Sequence, residues 1–275
     1  IRLTNERLNS NDRHLCISRP RRFGKSMAAN MLVAYYSRNC DSKGIFSSLA
    51  IAREPDFEEH LNKYNVIHLD MTRFASKAPD VKGMIDRLEI TLKQELSELC
   101  SDISYPDFYS SDEILTLIYN KYRVPFVFII DEWDCVFRIH KNDTEGQTAY
   151  LDYLKILLKD RPYVALDYAT GILPVKKYGQ HSALNMYAEY SMANQAMFAE
   201  FTGFTSDDVA VLCGKFNMPA DKMAEWYDGY KVGEYDVYNP QSVVRAVTAR
   251  IFDSYWTKTE TFEALQMYIR IDMDG

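Results

Sequence analysis

No two cysteines in this chain stand at C-x-x-C spacing. Cys16, Cys40, Cys100, Cys135 and Cys213 are odd in number and far apart, which argues against a paired-thiol or cysteine–zinc site and for reduced thiols of a cytosolic protein. The histidines, His14, His60, His68, His140 and His181, offer no metal-ligand spacing. Long apolar runs are missing as well. The longest, Val124 to Ile130, is far below the roughly 20 residues that span a bilayer, and no signal-peptide pattern is read. The expected location is therefore the cytoplasm, with no membrane partner. Positive charge is also short: 32 Lys and Arg stand against 39 Asp and Glu, a net −7 with pI about 5.3. Broad binding to nucleic acid depends on clustered Lys and Arg that neutralise phosphates, so this balance argues against it. There is no internal repeat and no low-complexity stretch.

What is there is ordinary material for a globular core. The 275 residues are 47% hydrophobic and 26% charged, enough for one large domain or a domain with a smaller companion. His14–Ser18, Val66–Asp70, Phe126–Ile130 and Tyr163–Thr170 read as strands, with Phe198–Thr202 a fifth. Helical spacing recurs over Ser26–Arg38, Asp80–Leu99, Asp112–Tyr122 and Tyr150–Leu158. In the second of these Asp80 is the cap, and Met84, Leu88, Leu92, Leu96 and Leu99 are the buried face. Strands alternating with helices predict an α/β fold, a parallel sheet covered on both faces. Ligands on such sheets sit beyond the carboxyl ends of the strands. After Gly203 the pattern turns mostly helical, with starts at Thr205, Pro219 and Asn239-Pro240 and a last helix over Glu260–Tyr268. The predicted division is a core over 1–204 and a small helical subdomain over 205–275. The aromatic turns Trp226–Tyr230 and Val237–Pro240 read as packing between subdomains in preference to base stacking. The chain begins at Ile1 without Met and ends at Asp274-Gly275, and is read as a piece of a longer protein.

One stretch organises the rest: Arg19-Pro20-Arg21-Arg22-Phe23-Gly24-Lys25-Ser26. An apolar strand leads in and a helix leads out, the context that a phosphate-binding loop requires. The first N–H groups of a helix have no partner within it and carry the positive end of its dipole, so a phosphate there meets ready donors. Lys25 adds a point charge at the β- and γ-phosphates, and Ser26 a hydroxyl for Mg²⁺. The first glycine of the pattern falls on Arg19, so the match is partial, and a lone Gly-Lys-Ser also occurs at helix starts that bind no nucleotide. A second stretch weighs against that bland alternative. Phe126-Val-Phe-Ile-Ile-Asp131-Glu132 is a strand apolar throughout that ends in two carboxylates, the pattern of a Walker B element. Asp131 is the candidate for the Mg²⁺ shell, and Glu132 the candidate base for an attacking water. Thr170, at the end of a neighbouring strand, is either a sensor of the γ-phosphate or water, or a strand threonine ahead of Gly171. Asp167 reads as facing a structural partner. Lys176, Lys177 and Arg161 are candidate sources of positive charge for the transition state, with no spacing that selects one.

Taken together and in order, Ser18–Ser26, Ile129–Asp134, Thr170–Gly179, Trp226–Tyr230 and Val237–Ser242 resemble the bacterial AAA-ATPase-like family. These are predicted P-loop ATPases, often joined to a C-terminal nuclease-like domain of the PD-(D/E)XK type. The resemblance covers essentially the whole chain, and the family's loop also lacks the first glycine. It implies a P-loop NTPase fold: a three-layer α/β/α core with a parallel sheet of strand order 5-1-4-3-2, here with a small lid-like helical subdomain. It implies Lys25 and Ser26 on the phosphates and Mg²⁺, and Asp131 and Glu132 in Walker B. The residues expected to bind ATP are Arg19, Pro20, Arg21, Arg22, Phe23, Gly24, Lys25 and Ser26, with Pro240 added by analogy with related signal-transducing ATPases, where Asn239-Pro240 would lie near the adenine. The expected metal ligands are Ser26 and Asp131, and the expected catalytic set is Glu132, Lys25 and Thr170. Trp133 stands where the family leads one to expect Tyr. No nuclease-like core is found, only the loop-like Asp41-Ser-Lys43 and Asp80-Val-Lys82. The function expected is Mg²⁺-dependent ATP binding and hydrolysis coupled to domain movement. The alternatives are a nucleotide-sensing or structural module without turnover and the ATPase component of a DNA-processing protein. The partners expected are nucleotide and a second copy of the chain, with nucleic acid only through a domain outside this chain.

Overall fold

The computed structural model describes residues 1–175, 185–192 and 197–255. Five strands make the main sheet: β1 His14–Ser18, β2 Asn65–Asp70, β3 Phe126–Asp131, β4 Val164–Gly171 and β5 Ala188–Tyr190. They lie in the order β2-β3-β4-β1-β5. Every residue of β1, β3 and β4 is buried, as in strands covered on both faces. The edge strand β2 alternates buried and open positions. β2 and β3 run parallel in unbroken register, from Asn65 against Phe126 to Asp70 against Asp131. β4 runs parallel to β3, with one irregularity between Phe126 and Val127. The fold is α/β with the three-layer arrangement of the P-loop type. Read from its other edge the sheet is β5-β1-β4-β3-β2. The difference from the sequence reading is the segment that fills the edge: Phe198–Thr202 is not a strand but carries a 3₁₀ turn over Ala199–Phe201, and Ala188–Tyr190 is β5.

The chain forms two compact units interleaved in sequence. The first takes Ile1–Cys16, Ala28–Gly171 and Val175–Ala188. The second takes Ile17–Met27, Ile172–Pro174 and the described residues from Glu189 onward.

In the first unit the helix Val81–Leu99 starts where Asp80 accepts the Gly83 N–H at 2.7 Å. Val81, Met84, Leu88, Leu92 and Leu96 form its buried face, each large side chain contributing about 1.5–3 kcal/mol by leaving water. Leu99, expected on that face, is 47% exposed, because the helix ends there and Cys100 turns the chain away from helical geometry. The helices Ser111–Tyr122 and Thr144–Leu158 pack against this one.

In the second unit the helices Ser206–Phe216, Ala220–Tyr227 and Pro240–Ala249 enclose Val209, Cys213, Met223, Tyr227, Val243 and Val247. This part is less purely helical than the sequence reading has it. β6 Phe204–Thr205, β7 Tyr230–Val232 and β8 Tyr235–Tyr238 form an antiparallel sheet in the order β6-β8-β7. The aromatic turns are thus partly strands, joined at Gly233 with φ 65°. Tyr227 is core, while Trp226 is 44% exposed and stacks on Phe252. Lys176, Lys177 and the expected helix Glu260–Tyr268 lie outside the described residues.

Candidate functional site

The phosphate-loop stretch belongs to the second unit. Arg19, which stands where the pattern has its first glycine, is fully buried. Its Nη1 donates to the carbonyls of Ser18 at 2.9 Å and Tyr190 at 2.8 Å. The side chain braces the loop backbone, so a large residue here does the positional work that a tight glycine turn does elsewhere. Arg22 (φ 71°) and Gly24 (φ 83°) are both left-handed and wind the chain around Phe23. Phe23 is buried against Ala199, Val232 and Val237, with the Tyr230 ring edge-on at 5.0 Å. Gly203 makes room for it: a Cβ there would lie 3.3 Å from Phe23 Cδ1. Arg19 and Phe23 therefore hold the loop from inside, and Arg21 and Arg22 are half-buried.

Lys25 is 5% exposed, and its Nζ donates to the carbonyls of Arg19 at 3.0 Å and Pro20 at 3.1 Å. The ammonium is folded back over its own loop. The helix Lys25–Tyr36 begins at this point and has no acidic residue in its first turn, so no carboxylate of its own offsets the positive end of the dipole. Ser26 is exposed. Asn239 caps the helix Pro240–Ala249, accepting the N–H groups of Gln241 at 3.0 Å and Ser242 at 3.3 Å. Its Nδ2 donates to the Arg21 carbonyl at 3.4 Å. Asn239-Pro240 thus meets the loop through this cap.

The acidic stretch belongs to the first unit. β3 carries Asp131 to its buried end, and β4 carries Thr170 beside it. The fully buried Thr170 donates its hydroxyl to Asp131 Oδ1, and Thr170 Oγ1 in turn accepts the Glu132 N–H at 3.4 Å. The Thr170 carbonyl takes the Trp133 N–H at 2.9 Å. Glu132 itself is left-handed at φ 56°, a conformation that costs a non-glycine residue on the order of 1–3 kcal/mol and clusters at functional sites. Trp133 is buried against Phe137, and the Tyr150 hydroxyl donates to its carbonyl at 2.9 Å. Burial pushes the Tyr150 phenol well above its ordinary range and the Cys135 thiol up to about 12.

Arg138 and Asp134 were not singled out by sequence reasoning. Arg138 Nη2 pairs with Glu132 Oε2, and its Nε lies 3.4 Å from Oδ2 of the fully buried Asp134. The signal available was the i, i+4 spacing of Asp134 and Arg138. Asp70, paired in register with Asp131, is a further carboxylate at the same strand ends; it caps the helix Met71–Ala75 by accepting the Arg73 N–H. Asp167 has the structural partner expected of it, His14 Nδ1 at 3.1 Å. Arg161 pairs with Asp112 at 2.8 Å and donates to the Ile156 carbonyl. Among the described residues no three His, Cys, Asp or Glu side chains gather as a metal cage. The Ser26 hydroxyl and the Asp131 carboxylate, the expected Mg²⁺ ligands, are each hard oxygen donors of the kind that Mg²⁺ takes.

The family model for predicted AAA-ATPases of the AAA-ATPase_like type matches residues 5–180. An uncharacterized protein from the vnfD 5' region of Azotobacter chroococcum mcd 1 is 25% identical over 255 residues, which cover 90% of this chain and 48% of that protein. The chain therefore spans about half the length of that curated relative.

Proposed function

The chain belongs to the predicted AAA-ATPase family, and from that footing we propose that it binds ATP with Mg²⁺ at the Arg19–Ser26 loop and hydrolyses it. The observation that carries this reading is Lys25. Its ammonium rests on two carbonyls of its own loop, at the start of a helix with no acidic first turn. A phosphate arriving there gives the ammonium charged acceptors, and bonds to these are shorter and about twice as strong. The loop N–H groups from Gly24 onward supply further donors. Arg19 and Phe23 contribute by fixing the backbone, and Asn239-Pro240 would flank the adenine. Mg²⁺, when bound, would offset the phosphate charge, with Ser26 and Asp131 as its protein oxygens. Glu132 would take the proton of the attacking water. Thr170, whose hydroxyl is on Asp131, would orient that carboxylate. Residues 205–275 would serve as the lid-like subdomain that moves with nucleotide state.

The test is calorimetry of Mg·ATP binding together with phosphate release. Lys25→Ala should weaken binding about 10- to 100-fold, the loss of a charge-assisted hydrogen bond of ~1.5–3 kcal/mol. Glu132→Gln should keep binding and abolish phosphate release. Equal binding by wild type and Lys25→Ala would overturn the reading. One observation favours a second reading, nucleotide sensing without turnover: the Glu132 carboxylate is already engaged by Arg138. That reading expects binding with no phosphate release in wild type or any variant.

A further inference from the structure

Between Ser26 and Ala52 only Arg38, Asp41 and Lys43 are charged, in a chain that is 26% charged overall. The helix Lys25–Tyr36 has no charge after its first residue, and past Ser26 its only polar side chain before the two tyrosines is Asn30. A helix that lacks a charged face belongs inside a structure or under a partner, yet Met31 is 38% exposed. The segment after the helix is alike. Phe46 and Ile51 are buried, Phe46 with its ring 5.3 Å from that of Tyr35, while Ile45 and Leu49 are left outside at 66% and 45% exposure. Single apolar side chains on a surface are ordinary, but an uncharged tract is not. The two stretches are joined where the Ser42 hydroxyl donates to the Ala34 carbonyl at 2.7 Å, within one helical turn of Met31. The loop between them carries opposite charges. Arg38 and Asp41 are exposed and make no ion pair among the described residues, whereas Lys43 is taken by Glu58 at 2.6 Å. Asn62 fixes this loop: its Nδ2 donates to the carbonyls of Ala34 at 3.1 Å and Ser37 at 2.9 Å, and its Oδ1 accepts the Ser42 N–H at 3.2 Å. All of these residues belong to the first unit.

We propose that this surface docks a second copy of the chain about a two-fold axis, with Met31, Ile45 and Leu49 against their counterparts and Arg38 of each copy against Asp41 of the other. Two features select a like copy. The chain carries a net charge of −7, so two copies repel over most of their surface, and an uncharged tract is where they can approach. A two-fold contact also requires a surface that is its own complement. An apolar tract with a cation and an anion at its rim meets that requirement, because each charge finds its opposite when the surface is turned upon itself. A partner of one sign would leave one of the two charges unanswered. Because Asn62 already holds the loop, little ordering is needed on docking. The inference stands apart from the ATPase reading, since none of these residues belongs to the proposed nucleotide site.

The test is sedimentation equilibrium of the full chain without nucleotide over a concentration series. Wild type should pass from 31.9 kDa to twice that mass as concentration rises. Arg38→Asp or Asp41→Arg alone sets like charges opposite each other twice across the axis, and should weaken the dimer about 10-fold. The swap, Arg38→Asp with Asp41→Arg, should bring it back to within about 3-fold of wild type. Ile45→Glu, which drives a carboxylate into the apolar tract, should weaken it about 100-fold. All three positions are exposed, so the thermal midpoints of the dilute variants should match that of dilute wild type. A wild type that is monomeric at every concentration overturns the proposal and leaves the tract to a different partner. A dimer that tolerates Ile45→Glu lies on another face and overturns it too. A dimer lost in the single reversals and not regained in the swap overturns the two-fold pairing of Arg38 with Asp41.

Discussion

Gly171 and Gly24 are both close to the candidate chemistry, and they are glycine for different physical reasons. At Gly171 the backbone is unstrained but the space is taken: a Cβ would sit 2.6 Å from Trp133 Nε1 and 2.8 Å from Trp133 Cδ1. Trp133 is itself buried, so the ring has nowhere to go. Gly171→Ala should cost about 1–3 kcal/mol, the usual range for forcing an extra carbon into a packed core. At Gly24 the space is open, with nothing within 4 Å of a Cβ, but φ is +83°. Gly24→Ala then carries only a left-handed backbone cost of about 1–2 kcal/mol, partly offset by about 0.4–1 kcal/mol of lost unfolded-state entropy. Urea midpoints with unchanged m-values should rank Gly171→Ala clearly below Gly24→Ala, whereas nucleotide affinity should be hit by Gly24→Ala. The reverse order of stabilities would show that the packing account of Gly171 is wrong. At this scale the placement of the motif residues was legible in the sequence because it is local: Lys25 and Ser26 open a helix and Asp131 ends a strand, with Glu132 next, as their own neighbours predict. Arg138 was not, since its meaning depends on a five-residue helix, Cys135–Ile139, that brings its guanidinium back to Glu132 and Asp134.

Between elements, one carboxylate ties two helices together. Asp143 caps its own helix Thr144–Leu158 through the Gly146 N–H at 2.9 Å, and also accepts the Val81 N–H, 3.0 Å away, at the start of Val81–Leu99. The bond from Val81, then that from Gly146, holds the Asp143 carboxyl below the usual range. A depressed carboxylate stabilises the fold at pH above its unfolded value of about 3.9. That stability is lost as pH falls through the lower folded value. Asp143→Asn keeps an acceptor oxygen but cannot titrate. Its thermal midpoint should lie below wild type at pH 7, and the gap should narrow as pH falls below about 3.9; a gap that stays constant would mean the charge is not what matters. Element by element, β3 and β4 could be read in advance because a strand buried on both faces is apolar along its length. β5 could not: in Ala188-Glu189-Tyr190 only the middle residue is buried, and Phe198–Thr202 offered a more apolar decoy. The β7–β8 hairpin was missed although Gly233-Glu234 between Tyr- and Val-rich runs is a two-residue hairpin signal.

For the whole molecule, the interleaving of the two units has a consequence for how the chain opens. Neither unit is one continuous segment, and β1 itself contributes His14 to Cys16 to the first and Ile17 onward to the second. Opening one unit therefore disturbs strands that the other needs, and the two should open as a single cooperative event. The five cysteines report on this: Cys40 is exposed, while Cys16, Cys100 and Cys135 of the first unit and Cys213 of the second are buried. Burial also pushes the thiols of Cys100, Cys135 and Cys213 upward, Cys135 to about 12, and the thiolate is the reactive form. At pH 8 and low concentration of a disulfide reagent, Cys40 should react at once and the other four only through opening. Saturating Mg·ATP binds the folded chain alone, so at 100 times its dissociation constant it should slow those four about 100-fold. Because the slowing acts through one opening, Cys213 should be protected by the same factor as Cys135. Unequal protection of Cys135 and Cys213 would mean that each unit opens on its own, in which case the interleaved chain does not couple them.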